Sequence, residues 1–168
     1  MPDSGAVRPY PSSGAAASPE RASCPYDAWR HSEPTVWRER SLHWHAYSWR
    51  GDGKRLGDNV ARRATASDIV PFALRDWLMK PARLIRAAPA TPEEALRWLS
   101  RQFDDCVPVM SPVHQRTFIS DEFRFGLALY ELRCGNDLSW GFWLTNALFQ
   151  AMSLIAVGDS TTCVCRTR

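Results

Sequence analysis

Leu42-His43-Trp44-His45-Ala46-Tyr47-Ser48-Trp49 alternates, with Leu42, Trp44 and Ala46 on one side of an extended chain and His43, His45, Tyr47 and Trp49 on the other. A period of two marks a half-buried strand, so this stretch puts a β-sheet in the fold. Arg50-Gly51-Asp52-Gly53-Lys54 follows, and its Gly and Asp residues suit the positive φ angles of a hairpin or tight turn.

Further along, Ser67-Asp68 is placed to cap a helix over 68–79, in which Leu74, Trp77 and Leu78 share one face. Pro81 interrupts that pattern, and a second short helix over Ala82–Ala87 precedes the linker Pro89-Ala90-Thr91-Pro92. Thr91 as N-cap, Pro92 at the first helical position and Glu94 at the third form a capping box, predicting a helix over 92–104 with Leu96, Leu99 and Phe103 on one stripe. Residues 107–119, with Pro108 and Pro112, read as extended or looping.

Residues 120–135 carry two periods at once. As a strand, Phe123, Phe125, Leu127 and Leu129 line one face, and Gly135-Asn136-Asp137 turns the chain into Leu138, Trp140, Phe142 and Leu144 of a partner strand. As a helix, Ser120 caps it, Asp121 and Glu122 sit in its first turn, Arg133 in its last, and Gly135 stops it. The aromatic, glycine-interrupted runs Phe123-Arg124-Phe125-Gly126 and Trp140-Gly141-Phe142-Trp143 favour the strand reading. No charged side chain occurs among the 21 residues 138–158, which is long enough for a membrane span. Asn146 and Gln150 near its centre argue against one, and in favour of a strand followed by a buried helix over 145–157.

These elements predict an α+β fold, an antiparallel sheet from the 36–49, 116–133 and 138–144 regions packed with two to four helices; a mainly α bundle is the alternative. Residues 1–26, rich in Pro, Ala and Ser, read as a disordered leader, 27–158 as one globular domain and 159–168 as a loose tail. The 168-residue chain is 45% hydrophobic and 11% aromatic, which excludes a wholly disordered protein, and it has no glycine triplet or sustained heptad. Its net charge of +3 is local: residues 1–90 carry +5 and residues 91–168 carry −2. Lys54 and Lys80 are the only lysines among 21 basic residues, a bias that fits GC-rich coding. Cys24, Cys106, Cys134, Cys163 and Cys165 form an odd set with no secretory signal ahead of them, so a cytoplasmic protein with reduced thiols is expected.

Three constellations bear on function. His43 and His45, two apart on a strand, project to one face as two ligands of a divalent metal or as acid/base groups would, with His31, His114, Asp52 or Asp58 as a third member that no spacing selects. No cofactor is otherwise implied. Cys106 and His114 resemble a nucleophile and base only in type; the acidic Asp104 and Asp105 and a helix C-terminus raise a thiol pKa, so a buried structural Cys106 is expected. Finally, Arg and Trp interleave from Trp29 to Arg63, a mixture that suits single-stranded nucleic acid, a protein interface or a core edge. The function read from this pattern is a small accessory or ligand-binding protein. Its aromatic face, Trp37, His43, His45, Tyr47, Trp49 and Arg50, would contact a protein partner or an apolar small molecule. A small enzyme built on His43 and His45, and nucleic-acid binding through 29–63, are the alternatives.

Overall fold

The computed structural model describes Trp29, residues 32–115 and residues 120–158. Strand β1 spans Leu42–Asp52, β2 Ile85–Ala87, β3 Leu138–Trp143 and β4 Leu148–Gly158. Helices α1 (Val36–Glu39), α2 (Asn59–Arg63), α3 (Pro92–Asp104), α4 (Pro112–Gln115) and α5 (Asp121–Arg133) are joined by loops and short 3₁₀ turns. The strands form one antiparallel sheet in the order β2-β1-β4-β3, which makes the fold α+β. β1 and β4 pair along their whole length, from Leu42 opposite Gly158 to Asp52 opposite Leu148.

The alternation in β1 sorts two cores. Leu42, Trp44 and Ala46 meet Ala95, Leu99 and Phe103 of α3 and Ala128 and Leu132 of α5. Each fully buried leucine in this layer contributes about 2 kcal/mol. On the other face Tyr47, Trp49 and Ile155 are covered by Ile69 and Trp77, with the Tyr47 and Trp77 rings stacked 4.8 Å apart. This second layer has little regular structure, so its carbonyls need other partners. Arg62 supplies three of them, donating to the carbonyls of Val70 (3.0 Å), Leu56 (3.1 Å) and Pro71 (3.2 Å). Buried Lys80 donates to those of Ser67 (2.9 Å) and Ala64 (3.1 Å).

The Thr91 cap holds: its Oγ1 accepts from the Glu94 N–H at 3.2 Å, while the Glu94 carboxylate reaches one residue further back than a capping box requires, to the Ala90 N–H. Asp121–Arg133 form a helix, which corrects the strand reading of 116–133 over its described residues and the hairpin at Gly135; 116–119 lie outside them. Ser120 Oγ accepts from the Phe123 N–H, and at the far end Gly135 at φ +78° lets its own N–H reach the Leu132 carbonyl and that of Asn136 reach Glu131. Gly126 sits inside this helix because the Trp29 ring lies on it; a Cβ there would stand 2.1 Å from Trp29 Cζ3.

The buried helix expected over 145–157 is instead a 3₁₀ turn, Thr145–Ala147, followed by β4. Gln150 through Ala156 are all buried, because the strand is central and covered on both faces, so its sequence shows neither period. The uncharged stretch 138–158 is thus two strands, and no helix among the described residues is long and apolar enough to cross a membrane. The sheet begins at Leu42, since Val36–Glu39 is helical. The 68–79 helix reduces to a 3₁₀ segment, Leu74–Met79, and 82–87 divides into a 3₁₀ turn and β2. The predicted turn after Trp49 comes later, because β1 runs on to Asp52, whose side chain then accepts from the Lys54 N–H. The leader, 1–26, and the tail, 159–168, lie outside the described residues.

Candidate functional site

α5 crosses the sheet beside its edge strand β3, and between them runs a groove of about 360 Å³. Phe123, Leu127 and Ala128 of α5 and Leu138, Trp140 and Phe142 of β3 make its lining mostly apolar, with Arg124 and Glu131 as its two charged groups. Behind it lies an aromatic cluster. Phe103 stands edge-on to Phe125 (5.7 Å), Trp140 (5.9 Å) and Phe142 (5.4 Å), the geometry that the ring quadrupoles favour.

Arg124 sits on this cluster, its guanidinium 4.6 Å from the Phe103 centroid, 5.9 Å from Phe142 and 6.0 Å from Trp140. It makes no ion pair among the described residues. On its other side is a smaller cavity of about 210 Å³, lined among others by Met110, His114, Gln115 and Asp121. Arg124 therefore divides two hollows. The sequence carried a signal for this place: the two glycine-interrupted aromatic runs do meet, although as helix against strand.

Comparison with protein-family models, curated proteins and solved structures finds no match to this chain. Its own geometry carries the functional reading.

The residues singled out in the sequence divide between the two faces of β1. Trp37 and Arg50 lie on the helix side. Trp37 is half-buried against Trp44 at 6.3 Å with Arg38 over its ring, and Arg50 donates to Gln150 Oε1 at 2.9 Å and approaches Cys106 Sγ at 3.6 Å. His43, His45, Tyr47 and Trp49 lie on the other side, where His45, Tyr47 and Trp49 are buried. Burial, with the neighbouring His43 charge second, lowers the His45 pKa from 6.5 to about 4. The His43 and His45 ring centroids are 5.3 Å apart, and no group of three His, Cys, Asp or Glu side chains that could hold a metal ion occurs among the described residues. His31 and the Cys163-Val164-Cys165 pair lie outside them.

Cys106 is buried and donates to the Gln102 carbonyl at 3.0 Å; burial raises its pKa, although Arg50 pulls the other way. Several basic groups of the 29–63 segment have internal work. Arg55 pairs with Asp68 and lies over Trp49, Arg62 caps carbonyls, and both Arg62 and Arg63 stack on Phe72.

Proposed function

We propose that the protein is a ligand-binding accessory protein whose contact surface is the groove between α5 and β3, and that it takes an apolar group bearing a negative charge. The observation that carries this reading is Arg124, held on aromatic rings at the edge of an apolar hollow with no carboxylate partner among the described residues. A cation kept beside apolar surface is poorly hydrated, and an anion that arrives with its own apolar body satisfies both features at once. Hollows of this size with a few convergent polar groups are the usual form of a small-ligand site. This groove is a different surface from the aromatic face expected from the sequence, Trp37, His43, His45, Tyr47, Trp49 and Arg50, of which Tyr47 and Trp49 are covered by Trp77 and Ile69. A cytoplasmic location goes with this reading, since Cys106 and Cys134 are free thiols.

Titration of the full chain with 4-phenylbutyrate, followed by amide chemical shifts, tests it. Shifts are expected at Arg124, Leu127, Gly141 and Phe142. Leu127→Trp should abolish them by filling the groove, and Arg124→Gln should weaken binding by about tenfold. Shifts centred on His43 and Tyr47, or an unaltered response in Leu127→Trp, would refute the assignment.

A further inference from the structure

We propose that the occupant of this groove is the carboxyl-terminal segment of a partner protein, added to β3 as a fifth strand. The inference rests on the groove being the contact surface and specifies what lies in it.

β3 is the outer strand of the sheet, and its register fixes which backbone groups face away from β4. In an antiparallel pair, residues alternate between those that exchange hydrogen bonds with the partner strand and those that point outward. The Leu144 N–H donates to the Leu148 carbonyl at 2.8 Å, so the even-numbered residues are turned toward β4. The Trp143 carbonyl accepts from the Ser111 N–H at 2.9 Å, which turns the odd-numbered residues outward. Ser139 and Gly141 therefore offer N–H and C=O groups at the open edge, beside the groove that both residues line. Strand addition uses such groups for affinity and an adjoining hollow for side-chain choice.

Among the described residues, the edge is open at one end and closed at the other. Met110 bridges Leu144 and Ser111 bonds Trp143, so the chain itself occupies the edge from Trp143 onward. An added strand must stop beside Gly141 and Phe142. Arg124, on the Phe142 ring, stands at that closed end, and Glu131 lines the groove toward Leu138. A chain end that carries its carboxylate to Arg124 and places an apolar side chain between Leu127 and Trp140 satisfies the stop, the charge and the hollow together. It runs parallel to β3, with any basic residue upstream lying near Glu131.

The test uses the full chain and a library of synthetic decapeptides with free carboxyl termini. The best binders are expected at Kd of about 10 μM, each weakened about tenfold by C-terminal amidation. Ser139→Pro removes one outward N–H from an edge position that tolerates proline and should abolish binding, whereas Ser139→Ala, which loses only the hydroxyl, should not. On the wild-type protein, methylating the peptide amides that face β3 should abolish binding too, whether or not the proline variant folds. In Arg124→Gln the acid and amide forms should bind alike. Failure of every peptide to bind, equal binding of acid and amide to the wild type, or equal binding by the methylated peptide overturns strand addition. If 4-phenylbutyrate still binds in a manner sensitive to Leu127→Trp, the groove reading survives that failure; if it does not, both fall.

Discussion

His45 should make the protein lose stability on mild acidification, and replacing it should remove that loss. The residue is 3% exposed and its pKa falls from 6.5 to about 4. Above pH 6.5 the imidazole is neutral in both folded and unfolded chains and contributes no pH dependence. Between pH 6.5 and 4 the unfolded chain takes up the proton and the folded one does not, so stability falls as pH falls, at up to about 1.4 kcal/mol per pH unit. The whole window is worth about 3 kcal/mol, a large part of the 5–15 kcal/mol that is typical of a domain. Urea unfolding at pH 7, 6, 5 and 4.5 measures it, comparing wild type with His45→Phe, which keeps an aromatic ring against Tyr47. Carboxylates titrate in both proteins, so the difference between the two curves isolates His45. A wild-type slope no steeper than that of His45→Phe between pH 6 and 4.5 would show that the side chain gains its proton without leaving its site.

Three further substitutions probe the scaffold. Ala147 has φ +58° in the turn between β3 and β4, so Ala147→Gly should stabilise the fold by about 1 kcal/mol in chemical denaturation. Gly135→Ala should cost about 1–2 kcal/mol by the same measurement, because φ is +78° and a Cβ there would meet Leu42 Cδ1 at 2.7 Å. Arg62→Ala removes three carbonyl contacts and a stack on Phe72, and should cost about 2 kcal/mol and open the 56–71 segment to limited proteolysis ahead of the rest of the chain.

Elements whose two faces differ in residue chemistry were legible in the sequence. β1 has different partners on its two faces and alternates accordingly, and α3 shows both its cap and its stripe. β4 has apolar neighbours on both sides, which erases the period that would have identified it. α5 was misread for a related reason. Phe123 meets Trp29, Phe125 meets Phe103, and Ala128 and Leu132 meet the sheet, so apolar residues occur around much of its circumference and mimic alternation. Its end signals, Ser120 and Gly135, were the better guide because they report backbone geometry and are indifferent to packing. The groove was legible only as two aromatic runs. That they oppose each other depends on a turn at Gly135, which local pattern does not orient.

The full-length pairing of β1 with β4 also governs the order in which the molecule can assemble. The partners lie about a hundred residues apart, so closing that loop costs entropy before either strand is rewarded, and contacts of such separation slow folding. On the ribosome, β1 would emerge long before β4 and wait with Trp44 and Tyr47 uncovered. A nascent chain arrested before Leu148 should therefore depend on a chaperone that shields apolar strands, and that dependence should end once Gly158 has cleared the exit tunnel.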